Sequence, residues 1–282
     1  MRQNLYANVD ESTRESLFGF RRDRKMRGLR VDERVWHYVS FGEGDQTIVF
    51  LHGMGGAYDI WWQQLEAFAG RFRVVSVTYP AVSSLSGLRR GLMAILEAEG
   101  IDRFHVVGSS LGGYFAQYLV TRDGSRINKA VFGNTFPPND LIAAENARTA
   151  AIAPYVPEWL VMRTFRKSII SGAVPAAGGS PLVRAFLLEQ SYGLMSKAQF
   201  IARYRCVVDS FEPAVPSTPV LIIESDNDPL VSRELQEMLR HTYPNAESHV
   251  FHKTGHFTYL NEPLAYTRVL AEFLERDRDA ER

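Results

Sequence analysis

Gly108-Ser109-Ser110-Leu111-Gly112 is a G-x-S-x-G pentapeptide set between two unlike stretches. Before it, Phe104-His105-Val106-Val107 is a short apolar run of strand character; after it, apolar residues from Tyr114 to Val120 recur at helical spacing. A chain that passes from strand to helix this abruptly must turn sharply, and glycines on both sides of the serine let the backbone fold tightly. Such a turn exposes the Ser110 hydroxyl at the carboxyl end of a strand. The plain alternative is a Gly/Ser-rich turn with nothing to catalyse, and the strand–turn–helix context weighs against it.

Strand-like and helix-like runs alternate along the chain. Strands are expected over residues 35–41, 47–51, 73–78, 104–108, 129–133, 219–224 and 248–251, and helices over 59–70, 86–99, 110–122, 233–242 and 262–276. Between about residues 137 and 219 the alternation stops, and three helix-like pieces follow one another (157–171, 181–192, 196–210), with 173–180 as a flexible Gly/Ala/Pro connector. The pattern predicts an α/β fold, a mostly parallel twisted sheet flanked by helices, with a helical lid inserted before the penultimate strand. The expected organisation is a polar N-terminal extension (1–30), a core from 31–136 and 217–282, and a lid over 137–216, which suits one large domain of 282 residues.

Thirty-two basic residues balance thirty-two acidic ones, so no global field favours nucleic acid or an anionic membrane. The local run Arg21-Arg22-Asp23-Arg24-Lys25 reads as a solvated face or an N-terminal contact segment. The single Cys206 excludes an internal disulfide, fits a reducing compartment and reads as a small apolar filler. Residues 1–15 hold no apolar secretory core, and no apolar run approaches the roughly eighteen residues of a membrane span. A cytoplasmic protein is expected.

A serine hydroxyl is a weak nucleophile and needs a base, oriented in turn by an acid. His256, in Lys253-Thr254-Gly255-His256-Phe257, follows the last expected strand and is the preferred base over His252, which falls at the strand end. For the acid, Asp228 directly before Pro229 is preferred to Asp226, which suits a turn-capping role; Asp140 is a remote third choice. Leu51-His52-Gly53-Met54-Gly55-Gly56 leaves a strand into a glycine-rich loop, and the backbone N–H groups of Met54 and Leu111 are the expected oxyanion donors. His52 precedes the serine in the chain and reads as a loop brace. The loop lacks the Gly-Lys-Ser/Thr ending of a phosphate loop, which argues against nucleotide binding. Acyl transfer of this kind needs neither cofactor nor metal.

The His-Gly loop, elbow serine, Asp-Pro loop and Gly-His loop, in this order, resemble the α/β-hydrolase superfamily over about residues 35–274. Serine rather than aspartate at the elbow sets the chain apart from epoxide hydrolases and haloalkane dehalogenases. Val77-Thr78-Tyr79-Pro80, the segment Gly108 to Gln117, Ile170-Ser171-Gly172, Tyr243-Pro244-Asn245-Ala246 and Phe257-Thr258-Tyr259-Leu260 resemble the maspardin group more narrowly. Animal members of that group are understood to have lost the base histidine, whereas this chain keeps Gly255-His256. The expected reaction is hydrolysis of a small-molecule carboxylic ester with a small or medium apolar group. Gly53, Trp61, Trp159, Tyr192 and Phe257 are the expected substrate contacts, with lid core as the plain alternative for the lid aromatics. The same site would serve a lactone, thioester, amide or carbon–carbon bond, and a non-catalytic adaptor that binds a protein partner is the contrasting class.

Overall fold

The computed structural model describes residues 2–142, 144 and 152–276. Eight strands form one sheet in the order β1-β2-β4-β3-β5-β6-β7-β8. They are β1 (Arg27–Val31), β2 (Arg34–Phe41), β3 (Thr47–Leu51), β4 (Arg73–Thr78), β5 (Phe104–Ser109), β6 (Ile127–Gly133), β7 (Val220–Ser225) and β8 (Glu247–Phe251). β2 runs antiparallel to both β1 and β4, and the remaining neighbours pair in parallel. β3, β5 and β7 are buried along their whole length, which is why they read as continuous apolar runs rather than as alternating ones.

Side-chain alternation divides the core in two. Ile48, Phe50, Val107, Val131, Leu221 and Ile223 face one layer, with helices α3 (Trp62–Phe68) and α10 (Pro263–Leu274). Val49, Leu51, Val106, Phe132 and Ile222 face the other, with α4 (Leu85–Ala98), α5 (Leu111–Asp123) and α9 (Arg233–Thr242). All seven expected strands form, and β3 and β4 have the expected bounds. β1 escaped the sequence reading because it is an edge strand whose Arg27, Gly28 and Arg30 are exposed, leaving no apolar run.

Residues 1–30 are polar in count yet not detached. α1 (Arg2–Leu5) and α2 (Glu11–Asp23), the latter capped by Asp10 accepting from the Thr13 N–H at 3.1 Å, bury Tyr6, Leu17 and Phe20 in the same cluster as Phe186 and Leu188. Arg21, from the basic run, is the strut of this docking. Its Nε donates to Asp59 Oδ2 at 2.6 Å and its Nη2 to Glu189 Oε2 at 2.8 Å, while the Tyr6 hydroxyl donates to the same Glu189 oxygen at 2.7 Å.

The insertion between β6 and β7 carries α6 (Glu158–Ser168), α7 (Pro181–Glu189) and α8 (Lys197–Val207). α6 and α7 each run on into a π-helical turn, Ile169–Ala173 and Gln190–Leu194. The expected free connector over 173–180 is instead partly helical, and Ala176 and Ala177 are buried. Small side chains there permit close packing rather than freedom. Among the described residues no helix is long and apolar enough to cross a membrane.

Removing the Arg21 guanidinium takes away a cation bonded to two buried carboxylates, Asp59 and Glu189. Arg21→Ala is expected to lower stability by about 3 kcal/mol in urea unfolding, whereas Arg22→Ala, which loses only an exposed pair with Asp23, leaves the midpoint unchanged.

Candidate active site

Ser110 sits between β5 and α5 with φ +56° and ψ −123°, a strained backbone for a residue with a side chain. Its neighbours enforce it. A Cβ at Gly108 would lie 2.1 Å from the Gly112 carbonyl oxygen, and a Cβ at Gly112 would lie 2.1 Å from that of Leu51. The Ser110 N–H donates to the Gly133 carbonyl at 2.9 Å, and the Thr135 hydroxyl donates to the Ser110 carbonyl at 2.7 Å. The elbow is thereby bolted to β3 below and to the end of β6 beside it.

His256 Nδ1 lies 2.8 Å from Asp228 Oδ2, both side chains being buried. Asp228 is itself held from three further sides. Asn134 Nδ2 donates to Oδ2 at 3.0 Å, and the Leu230 and Val231 N–H groups donate to Oδ1 at 2.9 and 3.2 Å. Burial alone would raise the Asp228 pKa; the facing His256 and these donors outweigh it and hold the carboxyl below its ordinary value. His256 follows Gly255, whose φ is +65° and whose missing Cβ would lie 2.0 Å from the Ala176 carbonyl oxygen. That same carbonyl accepts from the His256 N–H at 2.8 Å.

The rival candidates pair with each other. His252 Nδ1 lies 2.9 Å from Asp226 Oδ2 at the exposed side of the β7 and β8 loops. Asp140, the third acid considered, is exposed after β6. Asn134 holds the position that sequence reasoning missed there, at φ +42° directly after β6, contacting Asp228 and the Gly255 carbonyl. Its one signal is an asparagine in Gly133-Asn134-Thr135 at the carboxyl end of a strand, where a left-handed residue is needed and asparagine tolerates it.

Gly53 passes directly beside the elbow: a Cβ there would lie 3.2 Å from Ser110 Cβ and 3.6 Å from Oγ. Leu111 opens α5, whose first N–H groups have no partner within the helix. His52 is fully buried, accepts from the Tyr79 N–H through Nε2 at 3.3 Å and therefore donates from Nδ1 to the Gly53 carbonyl at 2.7 Å. Burial and the nearby Arg203 cation drive its pKa well below the ordinary value, so His52 is a neutral brace.

Arg203, on α8, is the second residue that sequence reasoning missed. It is buried, and its two terminal nitrogens donate to the carbonyls of Met54 and Gly56 at 2.9 Å and of Tyr79 at 3.1 Å. Burial pushes the guanidinium down to about 10, which leaves it charged at neutral pH. Tyr79, in the Thr78-Tyr79-Pro80 segment, thus joins β4 to the glycine loop through His52 and to α8 through Arg203.

Ser110, His256, Gly53, Met54 and Phe257 line one cavity of about 180 Å³. Three expected substrate contacts lie elsewhere. Trp61 is fully buried and stacks on Tyr259 with ring centroids 4.0 Å apart, so it backs the cavity wall without lining it. Trp159 is 64% exposed in the first turn of α6, while Phe165 and Ile169 further along reach the cavity. Tyr192 falls in the π turn before Gly193 (φ +125°) and carries the Arg166 guanidinium over its ring at 4.9 Å. A π turn breaks the 3.6-residue period, so side-chain direction beyond it is not readable from spacing.

The chain is 26% identical over 268 residues to 2-hydroxy-6-oxononadienedioate/2-hydroxy-6-oxononatrienedioate hydrolase 1 of Dechloromonas aromatica (strain RCB), covering 84% of this chain and 90% of that protein. It is 24% identical over 240 residues to human maspardin, covering 81% of this chain and 75% of maspardin. The crystal structure of the enol-lactonase from Burkholderia xenovorans LB400 superposes with a TM-score of 0.75 at 18% identity, covering 88% of this chain and 99% of that one, a likeness of fold. The alpha/beta hydrolase family matches residues 48–269, and the chain belongs to that family.

Proposed function

We propose that this hydrolase cleaves carboxylic esters of small or medium apolar groups through an acyl-enzyme on Ser110. The observation that carries the reading is the strained elbow serine sharing a cavity with a histidine whose Nδ1 is committed to a buried, ionised aspartate. With Nδ1 so engaged, Nε2 is the nitrogen left to take the Ser110 proton. Ser110 Oγ attacks the ester carbonyl as His256 removes its proton, and the Met54 and Leu111 N–H groups receive the oxyanion. Collapse expels the alcohol, protonated by His256. Water, deprotonated by the same imidazole, then releases the carboxylic acid and restores Ser110. Asp228 keeps its charge throughout, fixing the tautomer and offsetting the imidazolium.

A binding role without turnover is the second reading, favoured by the likeness to maspardin. The two separate on nucleophile activation. A fluorophosphonate probe is expected to label Ser110, located by mass spectrometry of the modified peptide, with no labelling of Ser110→Ala; a folded but unlabelled protein would favour the binding role.

Asp228→Asn is expected to reduce kcat by about 10⁴-fold, the scale for losing a carboxylate that sets a histidine's tautomer, with the circular dichroism spectrum retained. Asp228 is held below the ordinary aspartate value, so it stays ionised as pH falls and loses its charge only below that value. The kcat/KM profile of the unmodified protein, compared with that of Asp228→Asn, should show no step from this carboxyl down to about pH 4.

A further inference from the structure

We propose that an apolar trough in the inserted helices binds the uncharged chain trailing from the scissile ester, making a neutral, medium-chain ester the substrate class. The inference rests on the ester reading above. The trough has a volume of about 430 Å³, against about 180 Å³ for the cavity at Ser110. Phe165 and Ser168 line both, so the trough and the site cavity lie on either side of these two side chains. Its walls are Val156, Val161, Phe165, Phe200 and Tyr204, with the Phe165 and Phe200 ring centroids 4.6 Å apart.

Ligand sites are apolar hollows of this order of size, so one that adjoins the nucleophile's cavity across Phe165 and Ser168 is room for a ligand's trailing chain. Charge selects the ligand further. Among the described residues no Lys, Arg, Asp or Glu lines either cavity. Two cations of the inserted helices are committed elsewhere: Arg203 to three backbone carbonyls, and Arg166 to the Ser191 carbonyl and the Tyr192 ring. A carboxylate on the trailing chain would give up water and meet no cation among these lining residues. A dioate, the substrate type in the name of the relative from Dechloromonas aromatica, is therefore the wrong ligand for this cavity.

The test is a series of p-nitrophenyl esters from acetate to dodecanoate, with wild type and Val161→Trp. In wild type, kcat/KM is expected to rise roughly fourfold per methylene once the chain enters the trough, mainly through KM. Val161→Trp fills the trough and should cost at least tenfold on dodecanoate while butyrate stays within twofold. Ala153→Trp fills the same trough nearer its rim and replaces Val161→Trp should that variant fail to fold. A terminal carboxylate on the long acyl chain should cost tenfold or more. A flat chain-length series, an equal loss on short and long esters, or indifference to the terminal charge would overturn the proposal. Should folded wild type turn over no ester at all, the ester reading fails, and calorimetry with dodecan-1-ol decides the trough alone. Binding to wild type that is lost in the filled variant supports it, and absent or equal binding overturns it.

Discussion

Everything at the candidate site depends on how closely α5 approaches β3. The helix passes the Leu51 carbonyl at a distance that admits no side chain at Gly112, and the strand end at Gly108 meets the same turn from the other side. That contact fixes the height of Ser110 above the sheet and forces its left-handed backbone. The parallel register then brings the other loops to it: Leu51 pairs with Gly108, Ser109 with Gly133, and Gly133 with Ile223. Four strand ends deliver the glycine loop, the elbow, Asn134 and the Asp228 loop to one edge.

Charge is distributed by environment rather than by residue type. His52 and His256 are both buried, yet the first faces a cation and a backbone carbonyl, and the second faces a carboxylate. The first is therefore held neutral, and the second has its Nδ1 committed to Asp228. Asp228 is ionised in spite of burial because four donors converge on its two oxygens. Asp226, two residues away and exposed, spends its oxygens on His252 and the Lys253 N–H.

The parts of this arrangement that the sequence made legible are those set by short-range rules. Two-sided burial made β3 and β4 visible as apolar runs, and close approach made the elbow glycines visible as a motif. Asp228 and His256 could be placed because the motifs lie just after strands. The rest depends on contacts distant in sequence. Arg203 lies 149 residues from Met54 and looks like any helical arginine. Arg21 lies within an ordinary basic run, although Glu189, its partner, is 168 residues away. Trp159 and Tyr192 were misplaced because spacing gives a helix face but not where a helix begins or turns π.

Helices set over a hydrolase site are usually pictured as a door. Here the hinge argument fails, because two anchors run from the inserted helices into the catalytic loops themselves. Arg203 grips the glycine loop by two carbonyls, and the carbonyl of Ala176 holds the backbone N–H of His256. Lifting the helices as a unit would pull the proposed oxyanion loop one way and the proposed base another. The insertion is better described as a keystone: take it away and what remains is not an open site but two loops with nothing to hold them facing each other.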